Sequence, residues 1–131
     1  MKRNVSKSLL FICLGLISVF VFTSASLLVS PPGPPGKPEV VNVESDRCTV
    51  RYLAPRYDGG SPIKKYIIEY KYTSASRWYV VKTDFPITTL EYTVENLVEG
   101  SEIQFRVRAV NAEGVGEPSK ESNVVKIEDP F

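Results

Sequence analysis

Hydrophobic positions in this chain obey one rule before residue 30 and another after residue 39. No charged residue occurs from Ser8 to Ser30, and positions 9–22 (LLFICLGLISVFVF) are apolar almost throughout, with no polar face at a period of 3.6. From Glu39 onward, short runs of β-branched and aromatic residues alternate with polar ones and are broken by Gly, Pro, Asp and Ser, with no helical periodicity. That pattern predicts seven strands, over 40–43, 47–53, 63–72, 78–83, 88–94, 103–109 and 123–127. Alternation puts Cys48, Val50 and Tyr52 on one face of the second strand and Arg47, Thr49 and Arg51 on the other. In the third, Tyr66, Ile68 and Tyr70 oppose Lys65, Ile67, Glu69 and Lys71. In the sixth, Ile103, Phe105, Val107 and Ala109 oppose Gln104, Arg106 and Arg108. Strands with one apolar face cannot stand singly, so the expected fold is all-β, two sheets packed as a sandwich. Its expected core is Cys48, Val50, Tyr52, Tyr66, Ile68, Tyr70, Val94, Leu97, Ile103, Phe105 and Val107.

Between the two regimes, residues 30–38 (SPPGPPGKP) hold five of the ten prolines. Proline fixes φ and lacks an N–H, so this piece is expected to be extended, polyproline-like and outside any sheet. Pro31-x-x-Pro34 and Pro35-x-x-Pro38 match the spacing of a ligand for an aromatic groove, but a semi-rigid spacer over 31–38 is the simpler reading. Two Pro-Pro-Gly triplets are far too few for a triple helix. Residues 54–62, with two prolines and a Gly pair, and residues 111–117 read as loops.

Charge changes the picture at the amino terminus. Lys2, Arg3 and Lys7 precede the apolar run, a basic n-region before an h-region, with small residues at 23–26 placed for cleavage. Residues 1–26 therefore read first as a signal peptide; alternatively, the uncharged stretch 8–30 is long enough for a signal-anchor helix, and either implies export or a membrane tether. Beyond residue 26, 13 Lys and Arg face 15 Asp and Glu, a net −2. No basic cluster is present, which argues against nucleic acid as the partner.

The 131 residues contain no His, which excludes Ser-His-Asp and Cys-His catalysis and the commonest zinc ligand. Cys13 lies in the apolar run and Cys48 is then alone, read as a small buried hydrophobe. The single Asn-x-Ser sequon, Asn4-Val5-Ser6, falls in the n-region. Asp58 with Asp84, or Glu99 with Glu102, sit at turns and strand ends where solvated carboxylates are routine. Gly59-Gly60 and Gly114-Val115-Gly116 lack the Lys and helix of a phosphate loop. Nothing reads as a catalytic, cofactor or metal site, and no small-molecule substrate is indicated. The two loops belong at one end of a sandwich, where Arg56, Tyr57, Asp58, Asn111, Glu113 and Val115 are the candidate protein contacts. On the outer face of the sixth strand, Arg106 and Arg108 are placed to flank Trp78.

Several phrases together carry a family resemblance. They are the proline-glycine entry, Asp58-Gly-Gly-Ser-Pro-Ile63, Tyr66-Ile-Ile-Glu-Tyr70, Trp78, Leu97-Val-Glu-Gly100, Phe105-Arg-Val-Arg-Ala109, Asn111-Ala-Glu-Gly114 and Gly116-Glu-Pro-Ser119. In this order the chain resembles a fibronectin type III domain over 35–129, closest to repeats of titin- and twitchin-like giant muscle proteins. The resemblance implies a seven-stranded immunoglobulin-like sandwich, with strands one, two and five in one sheet and three, four, six and seven in the other. It also implies neighbouring immunoglobulin-like or fibronectin type III repeats, myosin or actin as partners, and a sarcomeric location.

Two departures stand out. Tyr52 replaces the family's usual Trp, so its hydroxyl needs a partner. Ile103 replaces a Tyr whose hydroxyl bonds back to the preceding loop, so Ile103→Tyr is expected to raise the thermal midpoint. Two readings of function result: a non-enzymatic repeat of a muscle scaffold, favoured by the resemblance, and a secreted or membrane-anchored adhesion or receptor module, favoured by the leader.

Overall fold

The computed structural model describes residues 28–131. The expected signal peptide or anchor over 1–26, and all of 8–30 before Leu28, lie outside the described residues. Among the described residues, no helix is long and apolar enough to cross a membrane.

The described residues form strands β1 (Glu39–Val41), β2 (Cys48–Arg51), β3 (Lys65–Tyr72), β4 (Tyr79–Val80), β5 (Glu91–Val94), β6 (Glu102–Asn111), β7 (Gly114–Val115) and β8 (Val125–Lys126). One sheet has the order β1-β2-β5; the other has β4-β3-β6-β7, with β8 also pairing β6. The expected partition of strands between sheets is thus observed. The count differs from the expected seven: β6 runs on to Asn111 and turns into β7, inside the segment read as a loop. The central pair β3–β6 runs antiparallel from Lys65↔Val110 to Tyr72↔Ile103, which aligns Tyr66, Ile68 and Tyr70 with Ala109, Val107 and Phe105 on the inner face.

That inner face meets Cys48 and Val50 of β2 and Val94 of β5 to form one core. Of the eleven expected core residues, ten are buried and Tyr70 packs half-buried against them; Ile87, Ala109 and Ile127 join. Tyr52 meets the need for a hydroxyl partner by donating to Thr89 O at 2.8 Å, while its ring lies 5.0 Å from that of Tyr66. Burial pushes the Cys48 thiol up to about 12.

The edge beyond β6 is irregular in a regular way. Gly116 and Ser119 donate to Ala109 O and Val107 O, Ser122 donates to Phe105 O, and Val125 pairs Ile103. Three residues of this segment therefore span two of β6, an extra residue at each step, as in a bulge. The β6 donors left over are taken by side chains: Val107 N–H donates to Ser119 Oγ and Phe105 N–H to Ser122 Oγ, both at 2.9 Å. Pro118 falls between these anchors, where its missing N–H costs nothing.

Candidate interaction surface

The proline-rich segment, expected as a semi-rigid spacer, is bonded along its length to the domain. Ser30, Gly33 and Gly36 donate backbone bonds of 2.9–3.0 Å to Gly59 O, Tyr57 O and Leu53 O. Pro32, Pro35 and Pro38 are buried at the same three-residue interval. A polyproline helix repeats every three residues, so it turns one row of N–H groups and one row of proline rings onto the domain. Gly59, at φ +81°, lies against Ser30 O, and Gly116 lies against Pro32 O; a side chain at either would collide with that backbone.

Asn111 locks this end of the molecule. Its buried amide donates to Ser30 O and Asp58 O, both at 2.8 Å, and its Oδ1 accepts from Glu113 N–H and Gly114 N–H. Every hydrogen-bonding position of the side chain is used. The structure thus brings the two candidate loops together, with the strap between them. Asp58 shapes its own loop by accepting from Gly60 N–H at 2.8 Å. Arg56, Tyr57, Asp58, Glu113 and Val115 face solvent, whereas Asn111 is 3% exposed and faces inward. Sequence reasoning missed the strap as part of this surface. The signal was present: glycine supplies an N–H at every third position where proline has none.

On the outer face of the larger sheet, the Arg106 guanidinium lies 4.3 Å from the Trp78 ring centre and Lys71 Nζ 5.5 Å from it. Arg108, expected to flank Trp78 as well, instead donates to Glu69 and to Gly116 O. Arg106 and Arg108 both reach Glu69 Oε1, at 2.9 and 2.8 Å. Burial raises the Glu69 carboxyl, but hydrogen bonds from Arg108 and Arg106 outweigh it and hold the group below the usual carboxylate value. Between the free edges of β4 and β5 lies an open groove of about 1050 Å³, whose walls include Tyr70, Tyr72, Tyr79 and Tyr92. Rings and solvated side chains line it. Every buried side-chain polar atom among the described residues has a partner.

A sequence model described as fibronectin type III domain matches residues 33–125. Cardiac-type myosin-binding protein C of Homo sapiens is 39% identical over 95 residues, covering 72% of this chain and 7% of that protein. The chain therefore spans less than a tenth of that relative's length. A solved structure of titin domains A168–A170 superposes with a TM-score of 0.73 at 35% identity, covering 77% of this chain and 34% of that one. Titin module A71 from human cardiac muscle gives 0.69 at 35% identity, with 76% of this chain and 95% of that module covered. In strand order, core and sequence alike, this chain belongs to the fibronectin type III family.

Proposed function

We propose that the chain is a non-enzymatic protein-contact module, one repeat of a muscle scaffold of titin or twitchin type, spaced and held by neighbouring repeats and contacting filament proteins such as myosin or actin. The observation that carries this reading is the similarity of the whole module to repeats of myosin-binding protein C and titin. A sandwich whose polar interior is fully paired, and whose entry strap is fixed to it, suits a bead that transmits position rather than performs chemistry. Contact through the strap-end loops would use Arg56, Tyr57, Asp58, Glu113 and Val115, with Asn111 holding them in place. Cosedimentation of the full chain with purified myosin filaments and with actin filaments tests this: saturable pelleting with either is expected. Absence of both, in the presence of a folded module, would remove the scaffold reading.

A second reading, an exported or membrane-tethered module, is favoured by one observation, the uncharged run from Ser8 to Ser30 behind three cations. Expressing the full chain with a carboxyl-terminal tag separates the two: the scaffold reading expects the tag in cytosol, the second in membranes or medium.

A further inference from the structure

The two outer faces of the sandwich carry opposite charge. Outward positions of β3, β6 and β8, with Glu128 just past the last of them, hold Lys65, Lys71, Arg106, Arg108 and Lys126 against Glu69, Glu102 and Glu128, five cations against three anions, a net +2. The other sheet's outer face holds Glu39, Glu91 and Glu95, with Glu44 and Asp46 at its end, against Arg47 and Arg51, five anions against two cations, a net −3. The charge is segregated by sheet, since the chain beyond residue 26 sums to only −2. Lys65, Lys71 and Glu39 form no ion pair with any described residue, so each face keeps uncompensated charge. Trp78, with Arg106 and Lys71 both over its ring, adds an aromatic surface to the cationic side.

We propose that the cationic sheet face of one copy docks on the acidic sheet face of a second copy, side by side. Complementary potentials orient such a contact and like-charged juxtapositions are penalised, so cationic-to-acidic is the favoured arrangement. The contact joins two different surfaces, so it repeats along a row and does not close into a symmetric dimer. It needs only the folded module and stands whether or not the muscle-scaffold reading does.

The test is sedimentation velocity on the full chain in an uncharged detergent, which covers the apolar run; Lys2, Arg3 and Lys7 are the same in every variant below, so association through them would survive Lys65→Glu with Lys71→Glu and be recognised by that. Screening shortens from roughly 30 Å in 10 mM salt to under 10 Å in physiological salt, so association is expected at ~10 mM NaCl and dispersal at ~300 mM. Lys65→Glu with Lys71→Glu shifts the cationic face by four charges to −2, making both faces negative; Glu39→Lys with Glu44→Lys shifts the other to +1, making both positive. Each double variant alone should associate at least about tenfold more weakly, and an equimolar mixture of the two should recover. The wild-type salt titration needs no substitution, so a variant that fails to fold does not shield the proposal. It is overturned by a wild-type chain that stays monomeric in low salt, by association indifferent to salt, or by folded variants whose mixture does not recover. Binding of poly-L-glutamate by the cationic face without self-association also overturns it and points to an acidic partner instead.

Discussion

Asn111 carries four hydrogen bonds that join the entry strap to both loops at one end of the sandwich. Truncating it leaves buried backbone groups unpaired, so Asn111→Ala should cost about 2–4 kcal/mol in a denaturant titration. Glu69 argues a pH dependence. Its carboxyl sits below the unfolded value of 4.5, so its stabilising contribution is present above that pH and is lost as pH falls through the folded value. Glu69→Gln should therefore be less stable than wild type near neutrality, with the gap closing as acid is added; a gap independent of pH would show that the two arginines do not depend on its charge. Ile103 changes the expectation raised by its identity alone. It is fully buried, and the Val98 N–H of the preceding loop is directed at the Tyr72 hydroxyl, 3.4 Å away, from the residue that pairs with Ile103 across β3 and β6. The missing tyrosine is compensated from the neighbouring strand. Ile103→Tyr is now expected to lower the thermal midpoint, by overpacking worth about 1–3 kcal/mol, rather than to raise it.

Among the elements, the strap and the edge segment follow a period of three, and they depend on each other where Pro32 O meets Gly116. Gly116→Ala should destabilise the intact chain and do so much less in one that begins at residue 35, where only the tight approach to Ala109 O at 3.3 Å remains, a coupling that a double-mutant cycle measures directly. Ser119→Ala or Ser122→Ala strips a partner from a buried β6 N–H, and each should cost about 1–3 kcal/mol. These features explain what was legible beforehand. Strands with one apolar face, such as β3 and β6, announce themselves by alternation, so sheet membership and the core were readable. The expected fourth strand shrank to Tyr79–Val80, because after Val81 donates to Ile68 O the chain leaves β3 and crosses toward Ile87, which bridges Tyr66. The glycine spacing marked where the strap's own donors lie, but not what they meet, because its partners are backbone carbonyls, which side-chain patterns do not report. Of the loop residues, exposure at Arg56, Tyr57, Asp58, Glu113 and Val115 followed from their place in turns, whereas the burial of Asn111 depends on contact with a strap read only as a spacer.

At the scale of the whole molecule, Cys48 reports on the integrity of the sandwich. It is fully buried between the sheets, and its thiol ionises at about 12 instead of 9.0. A thiol reagent should reach it only through global opening, so its labelling rate should track the unfolding free energy across the variants above. Because the folded value is raised, the stabilising contribution is complete below pH 9.0 and declines as pH climbs toward 12; Cys48→Ala should remove that alkaline component of the loss. The edge beyond β6 has a consequence for solubility. An intruding strand pairs with N–H and C=O groups that recur at every second residue; along 116–122 the bonds to β6 recur at every third residue instead, and Pro118 has no N–H, so the alternation that a regular edge strand offers is broken there. A protein built from many such beads in a row would thereby keep neighbours from zipping together along that margin.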